Sequence, residues 1–239
     1  MINFTKENVH ARHGIKLSEK EIWRGIWQKD LSKTTQTFLW MAIHDAYVIG
    51  NNWLRPGYAA EYQERSECQT CIQTETMDHI LTKCTATGQS EIWTLVDALW
   101  AKKHNSPTMA TIKPNLGNIF GSPAVLFRHE NGKINSGKTR LYRILIVESA
   151  HLIWELRCER VIQNEGKMTP TREVKNKWIE KINARLELDF RMTHPKYSQK
   201  AIPKELVTET WSGLLKNENN LPTDWVSKAG GLVGIDLTE

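Results

Sequence analysis

The sequence predicts a mainly α-helical protein with a small zinc-stapled knuckle in its N-terminal half. Apolar residues recur at helical spacing through most of the chain, and no series of alternating apolar and polar residues offers a sheet. Three of the four cysteines stand with a histidine in metal-ligand order: Cys68-Gln69-Thr70-Cys71, then His79, then Cys84. Such a set supplies the soft donors that tetrahedral zinc prefers. Four protein ligands leave no open position for water, so the expected site is structural rather than catalytic. The opposing reading, ordinary buried thiols beside a chance histidine, does not account for three thiols in that order within one short stretch.

Taken in chain order, Ser18-x-x-Glu21 is a capping box ahead of Ile22, Trp23, Ile26 and Trp27. A second core helix is expected over 34–49, carrying Phe38, Leu39, Met41, Ala42, Ala46 and Val48. In the metal stretch, Thr74 or Thr76 caps a short helix that brings His79 and Cys84 to the Cys68–Cys71 knuckle, with Ile80 and Leu81 packed beneath. Ile92, Trp93, Leu95, Val96, Leu99 and Trp100 mark the next helix. The stretch 104–137 is rich in Pro, Gly, Asn and Ser and reads as loop or linker. A long helix over 139–161 follows, bearing Leu141, Ile144, Leu145, Ile153, Trp154 and Leu156. Thr169-Pro170 opens another, in which Val174, Trp178, Ile182, Leu186 and Phe190 recur every four residues as one apolar stripe. The organisation expected is therefore a helical region with the metal element (1–103), a loop or linker (104–137) and a helical C-terminal region (138–239).

The 239 residues suffice for a substantial core, and ten tryptophans are unusually many. Trp23 with Trp27, and Trp93 with Trp100, share helix faces and are expected in the core, with base stacking as the alternative. The N-terminus lacks the apolar core of a secretory signal, and no run approaches the length of a membrane span. Free thiols beside a zinc motif fit a reducing compartment, nucleus or cytoplasm, for a protein that is not secreted. Cys158, the cysteine left over, reads as a small buried hydrophobe.

The formal net charge is +5. The metal stretch is nevertheless acidic, with Glu61, Glu64, Glu67, Glu75 and Asp78 against Arg65 and Lys83, so it reads as a staple rather than a phosphate-gripping surface. Between Lys138 and Lys200, fourteen Lys and Arg face eight Asp and Glu. There Lys177, Lys181 and Arg185 flank the apolar stripe. They read either as a solvated face with a Glu173–Lys177 pair or as a ridge contacting the phosphates of RNA or DNA.

Gly132-Lys133-Ile134-Asn135-Ser136-Gly137-Lys138-Thr139 satisfies the Gly-x4-Gly-Lys-Thr pattern of a phosphate-cradling loop, in which Lys138 and Thr139 would face phosphate and magnesium. The strand that must precede such a loop is missing, because Arg128-His129-Glu130-Asn131 intervene after the short apolar run Ala124–Phe127. Without alternating strands and helices there is no parallel sheet to carry it, so nucleotide binding through Gly132, Gly137, Lys138 and Thr139 is the disfavoured reading.

One resemblance unites these features. Phe38-Leu39-Trp40, then Gly50-Asn51-Asn52-Trp53-Leu54, then the Cys-x2-Cys pair, Glu75-Thr76, His79-Ile80-Leu81 and Cys84 resemble the zinc-binding domain that follows the polymerase and RNase H parts of non-LTR (LINE-like) reverse transcriptases, in particular those of mushroom-forming fungi. Glu148-Ser149-Ala150-His151-Leu152-Ile153-Trp154-Glu155-Leu156-Arg157 is similar to the helix downstream of that domain. The similarity runs from about residue 30 to the end, and the metal ligands are its most specific part. No adjacent Asp-Asp pair is present to hold two metal ions for phosphoryl transfer, and no strand series supplies RNase H carboxylates. The resemblance thus implies a detached or domesticated, noncatalytic, zinc-binding module that associates with RNA or DNA. A P-loop nucleotide-binding enzyme and a structural remnant without a partner of its own are the alternatives.

Overall fold

The computed structural model describes residues 1–104, 111–228 and 231–234. It is mainly helical, and its one sheet among the described residues is a two-stranded antiparallel ribbon. The helices in chain order are α1 (Ile2–His13), α2 (Glu19–Ile26), α3 (Lys33–Ile43), α4 (Ala60–Gln63), α5 (Gln89–His104), α6 (Leu116–Gly121), α7 (Ser136–Cys158), α8 (Thr171–Met192) and α9 (Lys204–Trp211). The ribbon consists of β1 (Glu67–Cys68) and β2 (Gln73–Thr74).

Helix α7 is the axis of the molecule. Every residue from Thr139 to Ala150 is buried, so this stretch is enclosed on all sides rather than amphipathic. Its polar members must then find partners inside. Arg140 and Arg143 both reach Asp30, and the Ser149 hydroxyl accepts the Trp178 indole N–H at 2.8 Å. Helices α3, α5, α8 and α9 pack around α7, and one apolar cluster runs from Val9 to Val233. Three elements of the N-terminal half, α2, α3 and α5, therefore share a core with the C-terminal helices.

Local rules explain most boundaries. The capping box at Ser18 is formed in both directions: the Ser18 side chain accepts from the Glu21 N–H, and the Glu21 carboxylate accepts from the Ser18 N–H at 2.7 Å. Helix α3 begins with a Ser32 cap and stops at Ile43, short of the expected residue 49, because Asp45 adopts a left-handed backbone (φ 52°). Helix α8 starts after Pro170 and buries the stripe Val174, Trp178, Ile182, Leu186 and Phe190 as expected. Helix α7 covers the expected span and ends in a π turn over Glu159–Gln163.

Within the stretch read as loop, residues 105–110 lie outside the described residues, and the part that follows is structured. Asn115 caps α6 by accepting from the Asn118 N–H at 2.9 Å, and all six residues of that helix are buried. The polar residues that suggested a linker are in part its caps and anchors. Asn118 donates to the Asn8 carbonyl at 2.9 Å, and Arg12 of α1 donates to the carbonyls of Thr111 and Lys113. Helices α1, α6 and α9 had no clear sequence signature.

Candidate metal centre

The metal stretch is a ribbon followed by a wide helical turn. β1 and β2 pair with Glu67 opposite Thr74 and Cys68 opposite Gln73, and the reversal between them is closed by Ile72 N–H donating to the Cys68 carbonyl at 2.8 Å. Ile72 takes a left-handed backbone (φ 50°) at this reversal. This hairpin places Cys68 and Cys71 side by side. Thr76 then caps the next element, its hydroxyl accepting from the His79 N–H at 3.0 Å. His79–Lys83 forms a π turn, closed by Cys84 N–H to the His79 carbonyl at 2.7 Å.

The four ligand atoms of Cys68, Cys71, His79 and Cys84 all lie within 4.8 Å of one another. Cys84 Sγ is 3.7 Å from Cys68 Sγ and 3.9 Å from Cys71 Sγ. A tetrahedron with zinc–sulfur bonds of about 2.3 Å has sulfur–sulfur edges of about 3.8 Å, which is the spacing found here. His79 supplies an independent sign. Its Nε2 is buried without a hydrogen-bond partner, whereas Nδ1 lies 2.9 Å from the Gln73 side-chain amide. A metal on Nε2 puts the imidazole proton on Nδ1, where it donates to the Gln73 amide oxygen, an orientation reached by turning the amide over. The residues fit a structural zinc ion.

The electrostatics point the same way. Burial opposes ionisation of Cys71, but the Thr85 hydroxyl and N–H, together with the neighbouring thiols, bring its pKa down to about 7. Burial, aided by the neighbouring Cys68, pushes Cys84 up to about 12. The site therefore carries one thiolate readily at neutral pH, and a cation is what makes further ionisation favourable. Backbone N–H groups already aim at the sulfurs, Thr85 at Cys71 (3.3 Å) and Ala86 at Cys84 (3.4 Å).

Beneath the ligands, Ile80 and Leu81 are buried, and the Leu81 carbonyl accepts the Trp93 indole N–H of α5 at 2.8 Å. Glu75, 2% exposed, pairs with Arg157 of α7, 3% exposed, and so ties the ribbon to the central helix. Gly50 (φ 53°) lies directly against the Glu75 carbonyl, where a Cβ would collide. Two links in the resemblance, Gly50 and Glu75-Thr76, are thereby explained as seat and cap of the metal ribbon. Sequence reasoning had not seen the ion pair. The surface alongside is acidic: Glu61, Glu64, Glu67 and Glu165 line a cleft of about 320 Å³.

The remaining predicted residues fall elsewhere. Lys177, Lys181 and Arg185 do not form one exposed ridge. Lys177 pairs with Glu159 at 2.6 Å and Glu173 at 3.3 Å, and Lys181 pairs with Glu155 at 2.8 Å. Arg185 is turned into the protein, 3.3 Å from Asp189. The Glu173–Lys177 pair is the one the sequence suggested, whereas Glu155 and Glu159 are brought alongside by the fold. In the glycine-rich match, Lys138 lies over the rings of Phe127 and Trp100 (5.0 and 5.6 Å), and the Thr139 hydroxyl accepts from the Phe127 N–H at 3.0 Å. A Cβ on Gly137 would meet the Glu209 backbone of α9 at 2.6 Å, so that glycine serves helix packing. Gly132 occupies a turn tip stabilised by its N–H donating to the His129 carbonyl at 2.9 Å. Neither Lys138 nor Thr139 faces a phosphate cradle.

Trp93 and Trp100 are buried as expected, but Trp27 is 54% exposed and Trp40 40%. Trp23 stacks on His44 (5.1 Å, 29°), and His44 lies against Trp40 (4.4 Å), so α2 and α3 display an aromatic strip. Cys158 is half-buried on α7, outside the ligand cluster, and burial raises its pKa.

Fold and site define a helical protein with a Cys3His metal element on its N-terminal half. Residues 5–93, which contain all four ligands, match the family model described as zinc-binding in reverse transcriptase. No curated protein and no solved structure matches the chain. No helix among the described residues is long and apolar enough to cross a membrane.

Proposed function

We propose that this protein is a noncatalytic, zinc-stapled accessory module of retroelement reverse-transcriptase origin that associates with RNA or DNA. The observation that carries the reading is the convergence of three sulfurs, two of their spacings at the edge length of a zinc tetrahedron, with the unpartnered, buried His79 Nε2, inside a segment that matches a reverse-transcriptase zinc-binding family. The ion is structural: it fixes the ribbon, and the ribbon fixes the N-terminal helices against α7. Nuclear or cytoplasmic residence follows from the need for reduced thiols.

The acidic surface around the metal is a poor phosphate ligand, and Lys177 and Lys181 of α8 are paired with carboxylates. The aromatic strip of Trp23, His44 and Trp40, with the exposed Trp27 at the end of α2, is the better contact, since unpaired bases stack on such faces, and Lys20, Arg24 and Lys33 stand exposed on the same two helices. Glu19, Glu21 and Asp45 are the nearby acids; the first holds the Trp23 indole at 3.2 Å, the second closes the capping box and the third is exposed beside His44.

Metal analysis of the purified chain together with titration of single-stranded RNA and DNA at about 50 and 200 mM salt tests this reading. It expects about one zinc per chain and affinity that falls steeply with salt. Zinc without any binding at the lower salt would leave a structural remnant with no partner of its own.

A further inference from the structure

Three guanidinium groups and two carboxylates meet between α7 and α8. Arg140 clamps Asp189 with both terminal nitrogens (Nη2 to Oδ1 2.6 Å) and donates from Nε to Asp30 Oδ1 at 3.0 Å. Asp189 Oδ2 also accepts the Trp211 indole N–H at 2.7 Å. Arg143 reaches the other oxygen of Asp30 and donates from Nε to the Pro123 carbonyl at 3.0 Å. Both carboxylates are thus committed before Arg185 is counted.

Arg185 is left short of acceptors. Its side chain is 7% exposed, its one ion pair is with Asp189 Oδ1 at 3.3 Å, and its Nε is buried with no partner. The other acids that bear on it, Glu148 and Asp30, form no ion pair with it: Glu148 stands 3.9 Å from Lys181, and Asp30 is held by Arg140 and Arg143. A buried guanidinium with unused donors is costly unless an acceptor arrives.

The same side chain lines a cavity of about 420 Å³ between the α2–α3 connection and the segment that follows α8. Lys29, Ser32 and Lys200 line the cavity with it, and Leu31, Met192 and Ile202 add apolar surface. Of the cavity's charged residues, only Asp30 is acidic, and two arginines already hold it. The volume lies in the range of small-ligand sites.

We propose that this cavity is an oxyanion site that takes the phosphate group of a small organic phosphate. Arg185 supplies the buried charge and planar donor set, Lys29 and Lys200 supply charge from the exposed side, and the apolar residues accept the organic body. The site is separate from the metal centre and does not depend on the zinc reading.

Calorimetric titration of the full, zinc-loaded chain with inorganic phosphate, uridine 5′-monophosphate and uridine tests it. Saturable binding of the monophosphate is expected, with Lys29→Ala/Lys200→Ala weakening it about tenfold or more at an unchanged melting temperature. Arg185→Gln should abolish it. Because Arg185→Gln alters a buried network, the exposed lysine pair carries the decision. Monophosphate bound about tenfold tighter than inorganic phosphate identifies an organic ligand, whereas equal affinities identify free phosphate and overturn the role of the apolar residues. Uridine bound as tightly as its monophosphate, no saturable heat with either phosphate, or an unchanged affinity in the lysine double variant would overturn the oxyanion site.

Discussion

Glu75 of the metal ribbon and Arg157 of α7 are paired across 82 positions of sequence, each almost wholly removed from water. Arg157 Nε donates to Glu75 Oε2 at 2.9 Å, and a second guanidinium nitrogen shares the same oxygen. Breaking such a pair from one side strands the other charge. Glu75→Ala is therefore expected to destabilise the protein by about 3–5 kcal/mol, and Glu75→Gln/Arg157→Met to recover part of that loss. Chemical denaturation of the three proteins measures it, and a single variant as stable as wild type would show that the pair contributes nothing.

Cys71→Ser should lose zinc and lower the melting temperature, while Cys158→Ser should keep both, because Cys158 lies outside the ligand cluster. A chelator should unfold the ribbon and loosen α5 through the Leu81–Trp93 hydrogen bond. Metal content and amide exchange across residues 60–100 report the outcome; full zinc retention in Cys71→Ser would remove that residue from the ligand set.

Gly137 and Lys138 separate two meanings of one motif. The packing of Gly137 on α9 predicts that Gly137→Ala costs about 1–3 kcal/mol by overpacking. Lys138→Ala should cost about 0.5–1 kcal/mol through its lost ring contacts, with no change in nucleotide affinity. Micromolar ATP binding that vanishes in Lys138→Ala would instead promote the nucleotide-binding reading.

Three histidines set an acid limit. Burial lowers His13, His104 and His151 from an ordinary value of 6.5 to about 4. Their folded pKa values lie below the unfolded ones, so the unfolded chain binds more protons between those limits. Stability is complete above pH 6.5 and falls as pH drops toward 4. His13→Gln, which keeps a polar partner for the Tyr142 hydroxyl, should reduce the slope of melting temperature against pH in that window. An unchanged slope would mean that His13 does not titrate there. Acid should also displace the metal from its thiolates, so zinc release is followed in the same samples.

Joint replacement of Lys20, Arg24 and Lys33 by Ala should weaken RNA and DNA binding without regard to sequence. The slope of log affinity against log salt should shrink by about two to three units. Trp27→Ala/Trp40→Ala should cost about 1–3 kcal/mol per stacked base and leave that slope in place. If both sets bind like wild type, the aromatic strip is not the contact surface.

The metal ligands were legible because all four sit in a short continuous stretch whose chemistry is visible residue by residue. The stripe of α8 and the capping box of α2 were legible because one periodicity or one four-residue pattern suffices to define them. Helix α1 was not, since it buries only Thr5 and Val9 and its remaining face is mixed. The fate of Arg185 was hidden for a different reason. Beyond the Glu173–Lys177 pair, the partners of Lys177 and Lys181 are Glu159 and Glu155, brought alongside from α7 and its terminal π turn, and Arg185 is buried beside Asp189, one turn on in α8, where Arg140 of α7 clamps that carboxylate. A signal did exist: Arg140 and Arg143 interrupt an otherwise apolar run in α7, and two arginines on a buried helix demand distant carboxylates.

The metal ribbon is closed by bonds between residues close in sequence, the Cys68–Gln73 register, the Thr76 cap and the Cys84 to His79 turn, whereas its lock to α7 waits for Arg157. During synthesis the ribbon can accordingly capture its ion before the central helix has emerged from the ribosome. Removal from the finished protein faces an added obstacle, the buried Glu75–Arg157 clasp. Loading and stripping are then not mirror images: the contacts that shape the site for uptake are local in sequence, whereas one contact that resists its opening reaches to Arg157.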